Sequence, residues 1–310
     1  MLDFGDIPSA YGNGDVQKFL GSAGAVGTSW QTWVKPRGKT MLHIQLVGAG
    51  GNGGTGVVGA NSVSAGGAGG QSGAITNVIV PLAFLPDVLF VSLAGRKPTA
   101  TANFASIVAV APVNTANNIL VFANGGLHGG NAAAGVGGTV GTAAAIATAG
   151  NMPLGWPFIT SVCFASQVGT AGGAAIAAAA LTLPVTGAFV TGGTGGGGLP
   201  AAAATGTNGG TITGAGVFPT VLGGTGNATA TVPAQAGNPG IQPIPRLGYF
   251  YGGTGGASTH GTATGAGLVQ GSGGDAAPGC GGGGMGGALT TSTVGVVGMG
   301  GQAFATFTCW

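Results

Sequence analysis

The chain has 310 residues, 72 of them glycine, against an ordinary usage of roughly 7%. Only 4% are charged, and seven Lys and Arg residues face five Asp with no Glu, for a net charge of +2. These figures exclude a coiled coil, a charge-driven disordered tail and nucleic-acid binding through phosphate neutralisation. A chain with so little charge and a positive mean hydropathy is poorly soluble as a free monomer. A membrane helix needs about 18 uninterrupted apolar residues, and the best candidate, 171–183, stops at Pro184. No membrane insertion is expected. Burial against other chains, most simply identical copies, is the remaining way to keep such a protein in solution.

The first segment, 1–29, carries Asp3, Asp6, Asp15, Tyr11, Lys18 and Phe19, turn residues and no clear period. It reads as an extended arm that attaches the protein to a larger structure. Its start is acidic, without an apolar stretch, so no secretory signal is expected.

From Thr40 to Val47 the residues alternate, with Leu42, Ile44 and Leu46 on one face, the period of a half-buried strand. Strands are also expected at 74–81, 88–93, 107–110, 119–122 and 303–310. The last of these, pairing back beside the 40–47 strand, would close a sheet around the intervening insert. Residues 174–183 have helix-forming composition but no cap, and read equally as an extended stretch between turns.

Between these strands lie four tracts of Gly-Gly-X type, 48–73, 125–150, 192–216 and 252–287. Flexible linkers are one reading. The other is a packed set of left-handed extended helices with polyproline II geometry, which make no internal hydrogen bonds and must pair their backbones with neighbours. Only glycine lets such backbones approach closely enough.

Motifs that look like chemistry do not hold up. Gly48-Ala49-Gly50-Gly51-Asn52-Gly53 has the G-x-G-x-x-G spacing, but no amphipathic helix follows it and the next acid is Asp87. Gly38-Lys39-Thr40 precedes a strand instead of following one. His43, His128 and His260 are dispersed, and Cys163, Cys280 and Cys309 lack metal-ligand spacing. No cofactor, no metal and no catalytic set are expected. Two aromatic clusters stand outside the strands, Trp156-Pro157-Phe158 and Tyr249-Phe250-Tyr251. Aromatic residues at turns between extended tracts suit a tip that touches a glycan or protein, so Trp156, Phe158, Tyr249, Phe250 and Tyr251 are the candidate contact residues.

The run Trp30-Gln31-Thr32-Trp33-Val34-Lys35-Pro36, followed by a turn and the strand and tract Met41–Gly51, resembles the opening of glycine-rich domains in bacteriophage virion proteins of the tail-fibre or minor structural kind. The end, Gly300–Trp310, is similar to the way those domains close. The resemblance implies glycine-rich helices packed side by side, with variable loops exposed at a tip. The resulting expectation is a mainly β protein. It has an attachment arm (1–29), a β-sandwich-like base (30–123), a glycine- and alanine-rich insertion region of extended and loop segments (124–300), a closing strand (301–310) and very little helix. Its partners would be identical subunits in a homotrimer, other virion proteins through 1–29, and a host surface glycan or protein. It would reside in the virion. A capsid decoration or head-fibre protein is the close variant. A secreted glycine-rich surface or ice-binding protein is the alternative of another class.

Overall fold

The computed structural model describes residues 15–22, 29–58, 63–96, 105–141, 160–183, 189–200, 205–216, 218–227, 232–242, 249–259, 269–288 and 294–310. Within them the strands are β1 (Asp15–Leu20), β2 (Gln31–Val34), β3 (Met41–Val47), β4 (Ile75–Pro81), β5 (Val88–Ser92), β6 (Ser106–Ala109), β7 (Ile119–Ala123), β8 (Thr160–Phe164), β9 (Leu181–Thr182), β10 (Ile212–Thr213) and β11 (Phe304–Cys309). The only helical element among the described residues is one 3-10 turn, Leu82–Phe84. The protein is mainly β, as its sequence implies.

Two antiparallel sheets form the base, one five-stranded with order β1-β11-β3-β4-β8, the other four-stranded with order β2-β5-β6-β7. The alternation in β3 decides which face turns inward. Leu42, Ile44 and Leu46 are fully buried, joined by Val78, Val80 and Phe307 of neighbouring strands, and they meet Trp33, Leu89, Val91, Val108 and Val121 of the second sheet. Trp33 lies on Phe307 with ring centroids 5.5 Å apart, and Phe19 meets the same ring edge-on at 5.2 Å. Each such buried side chain contributes on the order of 1.5–3 kcal/mol. The closing strand does what its sequence suggests: β11 lies between β1 and β3, with Phe307 opposite Ile44.

Three boundaries differ from the sequence expectation. Residues 15–20, assigned to the arm, are an edge strand whose Phe19 enters the core; the outward Lys18 and half-buried Gln17 hid its period. Residues 1–14 lie outside the described residues. Strand β8 comes from the insertion region yet completes the five-stranded sheet. Tracts 48–57 and 64–74, inside the expected base, leave it and belong to the glycine-rich part.

That part is an ordered array. Its tracts make their hydrogen bonds to one another in steps of three residues. Gly51, Gly54 and Val57 donate to the carbonyls of Gln71, Ala68 and Ala65, an antiparallel pairing. Gly282, Met285 and Ala288 donate to Gly51, Gly54 and Val57, a parallel one. Gly67, Gly70 and Gly73 donate to Met285, Gly282 and Gly279. Such stepping requires rods with threefold screw geometry, that of polyproline II. Each face of a rod addresses a different neighbour. Tract 279–288 is bonded to tracts 48–57, 64–74, 190–199, 250–259, 270–277 and 294–302, and every one of its residues is buried. The backbone groups that polyproline II leaves unpaired are satisfied laterally.

Glycine is needed here for space. Among described glycines only Gly38, Gly135, Gly216 and Gly279 have positive φ, so the remaining backbone is one that L-residues adopt. A Cβ on Gly281 would overlap the carbonyl oxygen of Gly70, and one on Gly283 that of Thr254. Where rods stand slightly apart, threonine fills the gap. The Thr194 hydroxyl donates to the Gly210 carbonyl (2.6 Å) and accepts from the Gly255 N–H (2.9 Å). Thr254 links Leu222 and Asn238 in the same way.

A second apolar cluster joins array to sandwich. Val47, Ile75 and Phe304 of the sheet pack with Val190, Ala276 and Cys280 of the rods, and Phe164, Phe189 and Phe250 lie against them. Arg96 adds a polar link, donating to the Ala276 carbonyl at 2.7 Å and pairing with Asp275 at 3.5 Å. Asp275 also accepts the Met299 N–H.

Candidate functional site

Chain direction gives the array two unlike ends. Tract 48–57 continues from β3 and tract 64–74 leads into β4, so the reversal between them lies away from the sandwich. The registers bring the other reversals to the same level. Ala132 donates to Thr55 and Ala288 to Val57, Ser64 exchanges bonds with Leu199, Thr259 donates to Gly287, and Gly206 to Asn227. Within the described residues the chain turns at this distal end at 132–136 and at Ala175, and five further tracts reach their last described residues there, at Val58, Pro200, Asn227, Thr259 and Ala288. Residues 59–62, 201–204, 228–231, 260–268 and 289–293 lie outside the described residues.

In sequence the stretches that follow these tract ends, 59–62, 201–204, 228–231, 260–268 and 289–293, contain only Ala, Gly, Thr, Ser, Asn, Leu and His260. The described ionic residues gather elsewhere. Lys35, which pairs with Asp87 at 3.1 Å and donates to the Leu85 carbonyl at 2.7 Å, lies with Arg37 and Lys39 at the far end of the sandwich. Asp15 starts β1 at that end, opposite Cys309. The distal end can offer hydroxyls, methyl groups and backbone donors and acceptors. It suits a neutral hydrogen-bonding surface and lacks the charges that a phosphate or carboxylate ligand would need.

The aromatic candidates do not sit there. Trp156 and Phe158 lie outside the described residues. Tyr249 and Tyr251 are buried, with Tyr251 fully so, in a cluster with Leu183, Ile212 and Val221. Tyr249 stacks with Phe218 at 4.8 Å and meets Tyr251 edge-on at 6.0 Å. Phe250 packs on Phe304 at 5.3 Å. All three occupy the sandwich-side start of tract 250–259. Their reading as exposed contact residues is corrected: Phe250 anchors a rod to the base through Phe304, and Tyr249 and Tyr251 are taken up in an apolar cluster among the tracts themselves. No signal in the sequence separates a tip turn from a basal one, since both join glycine tracts; only the register does.

The remaining groups of chemical interest are packed. The N–H groups of Gly50, Gly51 and Gly53, which a dinucleotide-binding loop would turn toward phosphate, donate to Gly301, Gln71 and Gly298. Burial pushes the Cys280 thiol well above its ordinary pKa, and pushes Cys309 up to about 11, aided by nearby Asp15 and opposed by Lys39. Neither is a reactive thiolate at neutral pH. Burial lowers the pKa of His43, against the hydrogen bond with Asn77. Among the described residues no three His, Cys, Asp or Glu side chains gather where they could hold a metal ion. No described helix is long and apolar enough to cross a membrane. No protein-family model matches this chain, and no curated protein matches it either.

Proposed function

We propose that this chain is a non-enzymatic structural protein of a bacteriophage particle, part of the tail-fibre or receptor-contact apparatus. Its sandwich end is directed toward the particle and its distal turns toward the host. The observation that carries this reading is the polarity of the molecule: rods of glycine held in register, with no charged side chain among the described residues at the distal end and Asp15, Lys35, Arg37, Lys39 and Asp87 at the far end of the sandwich. A rigid array is a stalk on which turns can change without disturbing the support. Hydroxyls and backbone groups at those turns suit a neutral surface glycan or a protein loop. The likeness of 30–51 and 300–310 to glycine-rich phage domains supports the same reading.

Purified particles and antibodies against the sandwich and against the distal segments test it. Gold labelling of fibre ends by both antibodies, together with reduced adsorption when the isolated protein is added first, is the expected outcome. Labelling spread over the head would favour a capsid decoration or head fibre, and absence of the chain from purified particles would overturn the proposal.

A further inference from the structure

We propose that residues 294–310 are a separable strap, seated in a slot that the rest of the chain builds and recognises as it would a peptide. The strap is one extended segment, tract 294–302 running straight into β11. Being extended, it bonds outward. As a strand it is paired on both sides, with Asp15–Leu20 of β1 and with residues 42–47 of β3. As a rod it offers the carbonyls of Val296, Gly298, Met299, Gly301 and Gln302, which accept from Gly273, Gly53, Ala276, Gly50 and Gly279. Phe307 and Cys309 enter the sandwich core, and Phe304 enters the cluster at the seam. Segment 294–310 contains no Asp, Glu, Lys, Arg or His, so none of its side chains carries a charge into the slot.

Two observations mark the slot as a recognition site. The first is that its side chains read the strap's backbone. The Val296 N–H donates to Ser272 Oγ (3.0 Å), the Met299 N–H to Asp275 Oδ1 (2.9 Å) and the Gly300 N–H to Asn52 Oδ1 (2.8 Å). Ser272 and Asp275 stand three residues apart on one rod and meet Val296 and Met299, three apart on the strap, so the repeats of acceptor and donor match. Asp275, one of five acids in the chain, holds the strap while it pairs with Arg96. The second is that the walls are bonded to one another without the strap. β3 pairs with β4, and β4 with β8. Tract 48–57 is bonded to 64–74 and 279–288. Tract 270–277 donates to 250–259 through Gly271 and Gly274, and accepts from Gly283 and Gly286. β1 alone hangs on the strap, with β11 as its one strand partner among the described residues. The strap's start is its accessible end: Val294 and Val296 are 63% and 68% exposed, whereas Phe307 is fully buried. Strand addition holds peptides in the same manner, with main-chain bonds giving affinity and alternate side chains giving specificity.

The full chain with a protease recognition sequence placed between Ala288 and Val294 tests it. After cutting, the 294–310 fragment should stay with the remainder through gel filtration, with unchanged β circular dichroism. In denaturant below the unfolding transition, excess labelled synthetic peptide 294–310 should replace the cut strap, and a scrambled peptide should not. Asp275→Ala in the cut chain should release the strap about tenfold faster, the loss of one hydrogen bond to a charged acceptor. Asp275→Asn keeps an oxygen for the Met299 N–H and should restore most of the retention. Loss of the β signal on cutting, equal uptake of the scrambled peptide, or exchange only after complete unfolding would overturn the proposal. So would equal release from Asp275→Ala and the native sequence. Peptide uptake is read on the native sequence, so it decides the matter even where Asp275→Ala fails to fold. None of these readouts depends on the virion reading.

Discussion

A single methyl group is the smallest probe of the array. At Gly283 the φ is ordinary, yet a Cβ would overlap the Thr254 carbonyl oxygen, and backbone cannot move aside without breaking bonds to the next rod. At Gly38 the φ of 75° is strained for an L-residue but nothing lies within 4 Å of a Cβ. Gly283→Ala should therefore lose more than about 4 kcal/mol and Gly38→Ala about 1–2 kcal/mol, measured by chemical unfolding of each variant. Equal losses at the two sites would mean that glycine serves the backbone's freedom and not the spacing of rods. Tyr251 gives a second contrast. Its hydroxyl is buried without a hydrogen-bond partner, and burial raises its pKa to about 12, with Tyr249 adding to the shift. Tyr251→Phe should leave stability unchanged or raise it by about 1 kcal/mol, while Tyr251→Ala should cost about 3–5 kcal/mol. A large loss with Phe would show that the hydroxyl has an essential partner.

At the scale of elements, the strands legible in the sequence were runs that alternate or are rich in β-branched residues, β6 among them although all four of its residues are buried. β3, β4 and β11 alternate or carry β-branched runs, and each appears within a residue or so of its expected place. β1, β2, β8 and the two-residue strands β9 and β10 were not legible. Asp15–Leu20 buries one side chain, and Thr160–Phe164 is a five-residue run that opens on two hydroxyl residues and does not alternate. The rods are invisible to periodicity for a different reason: glycine has no side chain with which to write a pattern, so linker and array look alike until partners are known. What the sequence does carry is their ends, because β3 and β11 flank the insert and β11 has to return between β1 and β3. Ending the chain at Gly301 should accordingly remove the cooperative unfolding transition reported by the buried Trp33. A truncated chain that still unfolds cooperatively would show that the base does not depend on this closure.

At the scale of the whole molecule, the low charge and the high glycine content have one cause. A rod enclosed by other rods has no room for long side chains and no water to solvate their charges. The described ionic residues are left to the sandwich and to its seam with the array, where Arg96 and Asp275 meet. Glycine loses more conformational freedom on folding than any other residue. The array is therefore favourable only if many rods pair at once, and its stability should be collective. Amide hydrogen exchange measures this directly, residue by residue. The N–H groups of Gly67, Gly70, Gly282 and Gly284 donate to neighbouring rods at the centre of the array, and they should exchange as slowly as that of Ile44 in the middle of β3. Exchange of these glycines at the rate of an open chain, while Ile44 stays protected, would contradict the account.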